Sequence, residues 1–336
     1  MRIAYLITAY DQPEHLHRLV SALDCEECAF FIHIDGHVDL RPFAQAGLRE
    51  KANVYFSPNR VKVQWMGFSQ VESILALLSQ AHDVGFDYCV LLSGSDYPIK
   101  SNTYLRSFYQ KADQEFITFW RLSDRPGWQH KIQYHYPIDQ IPILGWSKNT
   151  EHSYLRRFFW GRFHKYRHWM PRRRFPFDMV PYGGSDWWSL SQGCVRHILN
   201  FVEENPAYRR FYRSTHCPSE MFFHTIIMNS PWAERVRNFA EYNRWSATTS
   251  DEDKRSDLCM LPEDAFNMRY IDWSGVRTGE RETPAILDDR DWPRLVASAN
   301  LFARKFHAQQ SAGILDRIDR EILAVHQPAG QERASV

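Results

Sequence analysis

The chain has 336 residues, 41 Lys and Arg against 40 Asp and Glu, a formal net charge of +1 and 44% hydrophobic residues. That length holds one large α/β domain or two smaller ones and can bury roughly three quarters of its unfolded surface. The near-zero charge excludes a surface built as a whole for nucleic acid, the low Gly and Pro content excludes a disordered or low-complexity chain, and no apolar run approaches the roughly 18 residues of a membrane span.

Rings are the unusual component, with 12 Trp, 16 Tyr and 22 Phe making 15% of the chain. They suit either a bulky core or stacking on sugars and other planar ligands, and position along the chain has to decide. Six cysteines lie at 25, 28, 89, 194, 217 and 259. Cys25 and Cys28 form one Cys-x-x-Cys without a second pair at zinc-ribbon spacing or a thioredoxin-type context, which disfavours a metal or redox role. Met1 runs directly into an apolar stretch without a signal-type region, so the expectation is a cytoplasmic protein with reduced thiols, soluble or at most peripheral at the inner face of the cell membrane.

The first hundred residues alternate strand and helix. Residues 3–8 form a short apolar run, and 12–23 carry Leu16, Leu19, Val20 and Leu23 at helical spacing after a proline. A second strand over 30–34 ends in His33-Ile34-Asp35-Gly36, a third covers 54–56, a helix covers 71–80, and a fourth strand over 88–92 ends in Ser93-Gly94-Ser95-Asp96. This alternation predicts an α/β fold with a mostly parallel central sheet flanked by helices, whose ligand sits beyond the carboxyl ends of the strands. Asp35 and Ser93 to Asp96 fall at such ends. Neither a Gly-x-Gly-x-x-Gly nor a P-loop is present, so a conventional dinucleotide or P-loop protein is disfavoured.

After a strand expected over 116–120 the character changes. Residues 156–174 interleave Arg and Lys with Phe, Trp and Tyr and contain no acidic residue, the pattern of an interfacial membrane segment or a polyanion-binding surface, or of an insertion that packs its rings and solvates its charges. From Tyr182 a glycine turn leads into a strand, 192–203 read as a helix, and Pro218-Ser219-Glu220 opens another. There Glu220 would be stabilised as an anion in the first turn. A strand over 269–273 and a helical pattern over 293–305 follow, and the tail beyond about 325 is polar.

In order along the chain, His33-Ile34-Asp35, Asn59-Arg60 through Trp65-Met66-Gly67, Leu91 through Lys100, Tyr182-Gly183-Gly184-Ser185, Pro218-Ser219-Glu220, Arg269 through Trp273, and Leu301 through Phe306 resemble the core 2/I-branching enzyme family of glycosyltransferases, which also contains the peptide O-xylosyltransferases. As a set these segments are specific, and a chain without an amino-terminal anchor or stem is like the short bacterial members. The resemblance implies a glycosyltransferase A-type fold in one composite domain over 1–325, with a nucleotide-binding half at 1–110, an aromatic and basic insert at 111–180, an acceptor and catalytic half at 181–325, and a frayed tail at 326–336.

It also implies a UDP-sugar donor carrying N-acetylglucosamine or xylose, inversion at the anomeric carbon, and a hydroxyl acceptor on a glycan, glycolipid or peptide. No cofactor or divalent metal is required, and no Asp-x-Asp stands at a strand end in the first half. By this resemblance Glu220 is the general base. His33, Asp35, Arg60, Asp96 and Lys305 face the donor. The family's second cation falls within 282–285, where none of the residues is basic, and neighbouring Arg281 would substitute. Trp65, Lys131, Tyr182, Trp187 and Trp273 face the acceptor. Two rival readings are a catalytically inactive nucleotide- or carbohydrate-binding relative and a membrane- or polyanion-binding protein using 156–174.

Overall fold

The computed structural model describes residues 1–323 apart from 46, 142–157, 159–160, 164, 251–252, 255–263 and 275–283. Arg281, Cys259, the tail at 326–336 and part of the 156–174 segment lie outside the described residues. The strands are β1 (Ile3–Ala9), β2 (Cys28–Ile34), β3 (Val54–Phe56), β4 (Tyr88–Ser93), β5 (Asp96–Pro98), β6 (Phe116–Ile117), β7 (Trp120–Arg121), β8 (Tyr182–Gly183), β9 (Trp188–Ser191), β10 (Arg269–Ile271) and β11 (Phe302–Arg304).

Six of them form a sheet in the order β3-β2-β1-β4-β9-β6. The first four run parallel, in register from Ile3 opposite Cys28 to Ala9 opposite Ile34, and β9 is antiparallel to both β4 and β6. A strand buried on both faces has no polar side to show, which is why β1 and β2 read as continuous apolar runs. Alternate residues still go to opposite cores. Ala4, Leu6, Phe31 and Leu91 pack with the helices Ser69–Val84 and Gln192–Glu204, while Tyr5, Ile7, Phe30 and Leu92 pack with the helix Pro13–Leu23 and the carboxyl-terminal apolar residues. The α/β expectation, with its parallel centre and flanking helices, describes this architecture.

Four local readings change. The helical pattern expected over 293–305 is a helix only over Trp292–Ala297, and Phe302–Arg304 forms strand β11 between β10 and β5. A short apolar run cannot be told from a helical turn by periodicity, and here the open edge of β5 decides it: Ile99 N–H donates to the Leu301 carbonyl (3.0 Å) and Phe306 N–H to the Ser95 carbonyl (2.8 Å). The strand expected over 116–120 breaks into β6 and β7, because β7 leaves the main sheet to pair with β8. Pro218–Glu220 is a separate 3-10 turn, cut from the helix Phe222–Met228 at Met221. Cys25 and Cys28, expected as reduced thiols, are joined in a disulfide across the turn into β2, where their Cα atoms lie 5.2 Å apart, within bridging range. No helix among the described residues is long and apolar enough to cross a membrane.

Two buried histidines tie helices to the sheet. His15 packs on Tyr97 and Phe306, and burial lowers its pKa to about 4. His224 has its Nε2 3.0 Å from the Ser185 carbonyl, and burial lowers its pKa to about 3. Both folded-state values lie below that of an exposed imidazole, so the stability they permit is complete above about pH 6.5 and is lost as the pH falls towards the folded values. At about pH 5 each should cost about 2 kcal/mol. Denaturant unfolding at neutral pH and at pH 5 should therefore show a loss that a His15→Gln variant reduces by about 2 kcal/mol; an identical loss in the variant would show that His15 does not contribute.

Candidate active site

A cleft of about 470 Å³ opens beyond the carboxyl ends of β1, β2 and β4. Its walls are drawn from every part of the chain, from Tyr10 and Asp11 after β1 to Arg304 in β11.

On one side stand the residues at the ends of β2 and β4. The buried His33 ring accepts the Val61 N–H at Nε2 (2.9 Å), so the proton sits on Nδ1, and burial lowers its pKa. Asp35 also lines the cleft, with Oδ1 accepting the His37 N–H (2.8 Å). Arg60 and Asp96 do not line it. The Arg60 guanidinium donates to the carbonyls of Ile34 (3.0 Å), Asp35 (2.6 Å) and Val38, and so shapes the loop after β2 from behind. Asp96 is fully buried, accepts the Ser93 N–H (3.0 Å) and hydroxyl (2.8 Å), and lies 3.4 Å from Arg269 and 3.5 Å from Arg304. Both of these expected donor residues therefore have contacts within the protein.

Among the described residues, Arg304 is the arginine that lines the cleft, its guanidinium 4.2 Å from the Trp187 ring centre. Lys305 does not line it; its backbone joins the 285–287 segment through Leu287 N–H to the Lys305 carbonyl (3.0 Å). Trp187 carries Arg269 at 5.0 Å as well, so this ring holds cations instead of presenting a bare platform. Trp65 and Trp273, about half exposed, line the cleft. Tyr182 does not: it is buried in the β7–β8 pair, and its hydroxyl accepts from Arg121 Nε (3.2 Å).

Glu220 reaches the cleft from its 3-10 turn with its side chain one quarter exposed, and Lys131 Nζ makes an ion pair with its carboxylate. Lys131, expected at the acceptor, is instead nearly buried between Glu220 and the Trp128 ring, 3.4 Å from the ring centre. The segment carrying Trp128 and Lys131 is fastened to the helix Phe239–Thr248 by Asp124, which accepts the hydroxyls of Tyr242 (2.6 Å) and Ser246 (2.8 Å), and Asp124 also pairs with Lys254 (3.3 Å). A second carboxylate, Asp186, lies in the same cleft. Burial raises its pKa, against the Ser219 hydroxyl and the charges of Arg304 and Lys131. Its sequence signal was a carboxylate directly after Tyr182-Gly183-Gly184-Ser185. Among the described residues, no three His, Cys, Asp or Glu side chains are grouped to hold a metal ion.

Several of the segments singled out in the sequence, among them His33 and Asp35, Gly184-Ser185 and Glu220, contribute to this cleft, and a model of the core-2/I-branching enzymes matches residues 3–292. The chain belongs to the core-2/I-branching enzyme family. Xylosyltransferase 2 of Canis lupus familiaris is 26% identical over 339 residues, covering 98% of this chain and 34% of the relative. The xylosyltransferase oxt of Drosophila melanogaster is 25% identical over 335 residues, covering 95% of this chain and 33% of the relative. The chain thus spans about a third of the length of these curated relatives. Among solved structures, galactosyltransferase LgtC in complex with donor and acceptor sugar analogs matches with a TM-score of 0.37 and 10% identity, over 78% of this chain and 84% of that one; so low a score carries no argument.

The position of Glu220 depends on a glycine. Gly184 N–H donates to the Glu220 carbonyl (2.8 Å), and a Cβ at 184 would overlap the Thr118 carbonyl and come within 2.6 Å of the His224 ring. Gly184→Ala should therefore destabilise the fold by about 3 kcal/mol, the upper range for overpacking. Gly127→Ala, where a Cβ meets nothing within 4 Å, should change stability by less than about 0.5 kcal/mol. Urea unfolding of the two variants checks the contrast, and equal stabilities would refute the close approach.

Proposed function

We propose that the protein is an inverting glycosyltransferase that moves a sugar from a UDP-sugar to a hydroxyl of a glycan, glycolipid or peptide. The observation that carries this reading is the juxtaposition, in one cleft, of a lysine-held carboxylate, Glu220, and a tryptophan-stacked guanidinium, Arg304. Xylose is the favoured sugar because the curated relatives are named xylosyltransferases, and N-acetylglucosamine is the alternative.

In the proposed reaction the acceptor oxygen forms the new bond to the anomeric carbon as the bond from that carbon to the UDP oxygen breaks on the opposite face. The hydroxyl proton passes to Glu220, and the electron pair of the broken bond stays on the diphosphate. A single base suffices because the leaving group is already a stabilised phosphate. Arg304 supplies the positive charge on the leaving-group side, with Lys305 as the adjacent cation. It takes the place of the family arginine that has no match in 282–285. His33 and Asp35 serve the uridine end, and Trp65 and Trp273 give the acceptor flat apolar faces. The enzyme needs no resident cofactor and no divalent metal, so EDTA should leave turnover unchanged.

A second assignment of the base has its own observation. Asp186 has a pKa raised by burial, which brings a carboxyl closer to the range where a general base works best. Glu220→Gln and Asp186→Asn separate the two: the base variant should lose about 10²-fold or more in kcat with UDP affinity retained, while the other should lose less. Full turnover by both would remove the carboxylate mechanism. A panel of UDP-sugars, scored by thermal shift and UDP release, tests class and donor together; the absence of release with every donor and acceptor would favour a non-catalytic relative.

Lys131 should act through Glu220. Replacing it by Met removes the nearby positive charge that favours the ionised carboxylate, so the acid limb of the kcat/KM profile should move up by about one pH unit. A lower rate with an unmoved acid limb would return Lys131 to acceptor binding alone.

A further inference from the structure

The described part of 156–174 is absorbed neither by the cleft nor by the core. Phe158 and Tyr166 are 47% and 43% exposed, and Trp169, at 79%, is the most exposed large apolar side chain among the described residues. None of the three lines the cleft. Each belongs to a cluster of rings and cations: Arg162 lies 4.7 Å from the Phe158 ring centre, Lys165 5.4 Å from that of Tyr166, and the Tyr166 and Trp169 rings are 6.0 Å apart. Arg172 and Arg174 are also exposed, and no acidic residue occurs from 156 to 174.

The exposure belongs to an anchored turn. Behind it the Phe163 ring packs 4.9 Å from Tyr136, and Met170 packs against the buried cluster of Tyr134, Tyr136 and Ile138. Arg173 is spent on the fold, donating to the carbonyls of Phe211 (2.6 Å), Ser214 (2.8 Å) and Tyr134 (3.3 Å) and stacking 3.9 Å from the Phe211 ring centre. Phe175 continues the attachment on Phe211. The described residues of 158–174 therefore have a fastened side and a side of rings and cations turned to solvent.

We propose that this exposed side docks the protein on an anionic lipid bilayer. Cations alone would serve any polyanion, but exposed tryptophan and tyrosine beside them match the headgroup layer, where the ring enters the acyl boundary while Lys and Arg meet phosphates. Neither signal holds a protein by itself: each cation near an anionic surface contributes only about 1 kcal/mol, so attachment depends on charge and rings together. The fastened side rests on Tyr136, whose ring lies 4.9 Å from that of His216, and His216 N–H donates to the Lys131 carbonyl (3.1 Å). The docked turn is thus connected to the Lys131 backbone near the cleft, which on the glycosyltransferase reading would suit an acceptor carried on a lipid. That last step alone rests on the glycosyltransferase reading.

The test is co-sedimentation of the full chain with vesicles of phosphatidylcholine, pure or mixed equally with phosphatidylglycerol, across a salt series. Binding should be at least about tenfold tighter to the anionic vesicles and should weaken with salt. Trp169→Ala and the double variant Arg162→Glu with Lys165→Glu should each reduce it about tenfold while leaving the thermal unfolding midpoint unchanged. Equal binding to neutral vesicles, no binding, or wild-type binding by these variants would overturn the proposal. So would tight binding to a soluble acidic polysaccharide without binding to vesicles. None of these readouts uses sugar transfer, so the result stands apart from the outcome of the donor panel.

Discussion

The cleft depends first on one buried charge, that of Asp96. Its carboxylate is cut off from water at the junction of β4 and β5, held by the Ser93 N–H and hydroxyl and flanked by Arg269 and Arg304. A buried anion persists only where opposite charge and hydrogen-bond donors surround it, and losing one partner of such a cluster costs several kcal/mol. The cluster fixes the carboxyl-terminal strand β11 against β5, and that docking brings Arg304 to Trp187 at the cleft. Arg269, fully buried, donates to the Leu91 carbonyl (3.0 Å) at the end of the central strand β4. The last strand among the described residues is thus tied to the first hundred residues by charge as well as by backbone.

The opposite wall is set by close approach. At Gly67 a Cβ would lie 2.9 Å from Asp139 Cγ, and the Asp139 carboxylate accepts the Phe68 N–H (2.6 Å), the Ser69 N–H (3.2 Å) and the Ser69 hydroxyl (2.6 Å). A carboxylate 70 residues distant thereby caps the start of the helix Ser69–Val84, whose amides have no partner within the helix. The same contact draws the 130–139 segment, with Lys131, towards the sheet. Gly184 performs the equivalent service for Glu220. Both glycines belong to the motifs that carry the family resemblance, and in both places backbone proximity leaves no room for a side chain.

These couplings mark how far the sequence was legible. The strands of the parallel sheet and the helices after β1 and before β4 could be read because burial imposes a local period, and Asp35 lay at a strand end where a ligand was expected. For Arg60 and Asp96 the sequence alone does not separate a ligand contact from support, since a polar side chain near a strand end looks the same whether it faces the cleft or its supporting wall. Tyr182 was read as a platform, but pairing of β7 with β8 turns it into the core, a choice made by a strand 60 residues earlier. Arg304 went unmarked because its partners, Asp96 and Trp187, meet it only in three dimensions. The Trp273 and Glu220 assignments reach the cleft because each sits beside an element end that the local pattern located.

Charge within the cleft is shared, and that sharing bears on its chemistry. Lys131 contacts Glu220 directly while also favouring the ionised form of Asp186, and Arg304 acts on Asp186 from the other direction. Two carboxyl groups near one lysine cannot be equally satisfied as anions, so the environment distinguishes them: Glu220 has the ion pair, and burial raises the pKa of Asp186. An anionic diphosphate near Arg304 would draw on the same cation that moderates Asp186. On the proposed reading, donor occupancy and the protonation of the second carboxyl would therefore be coupled through Arg304, the residue that also anchors the carboxyl-terminal strand to Asp96.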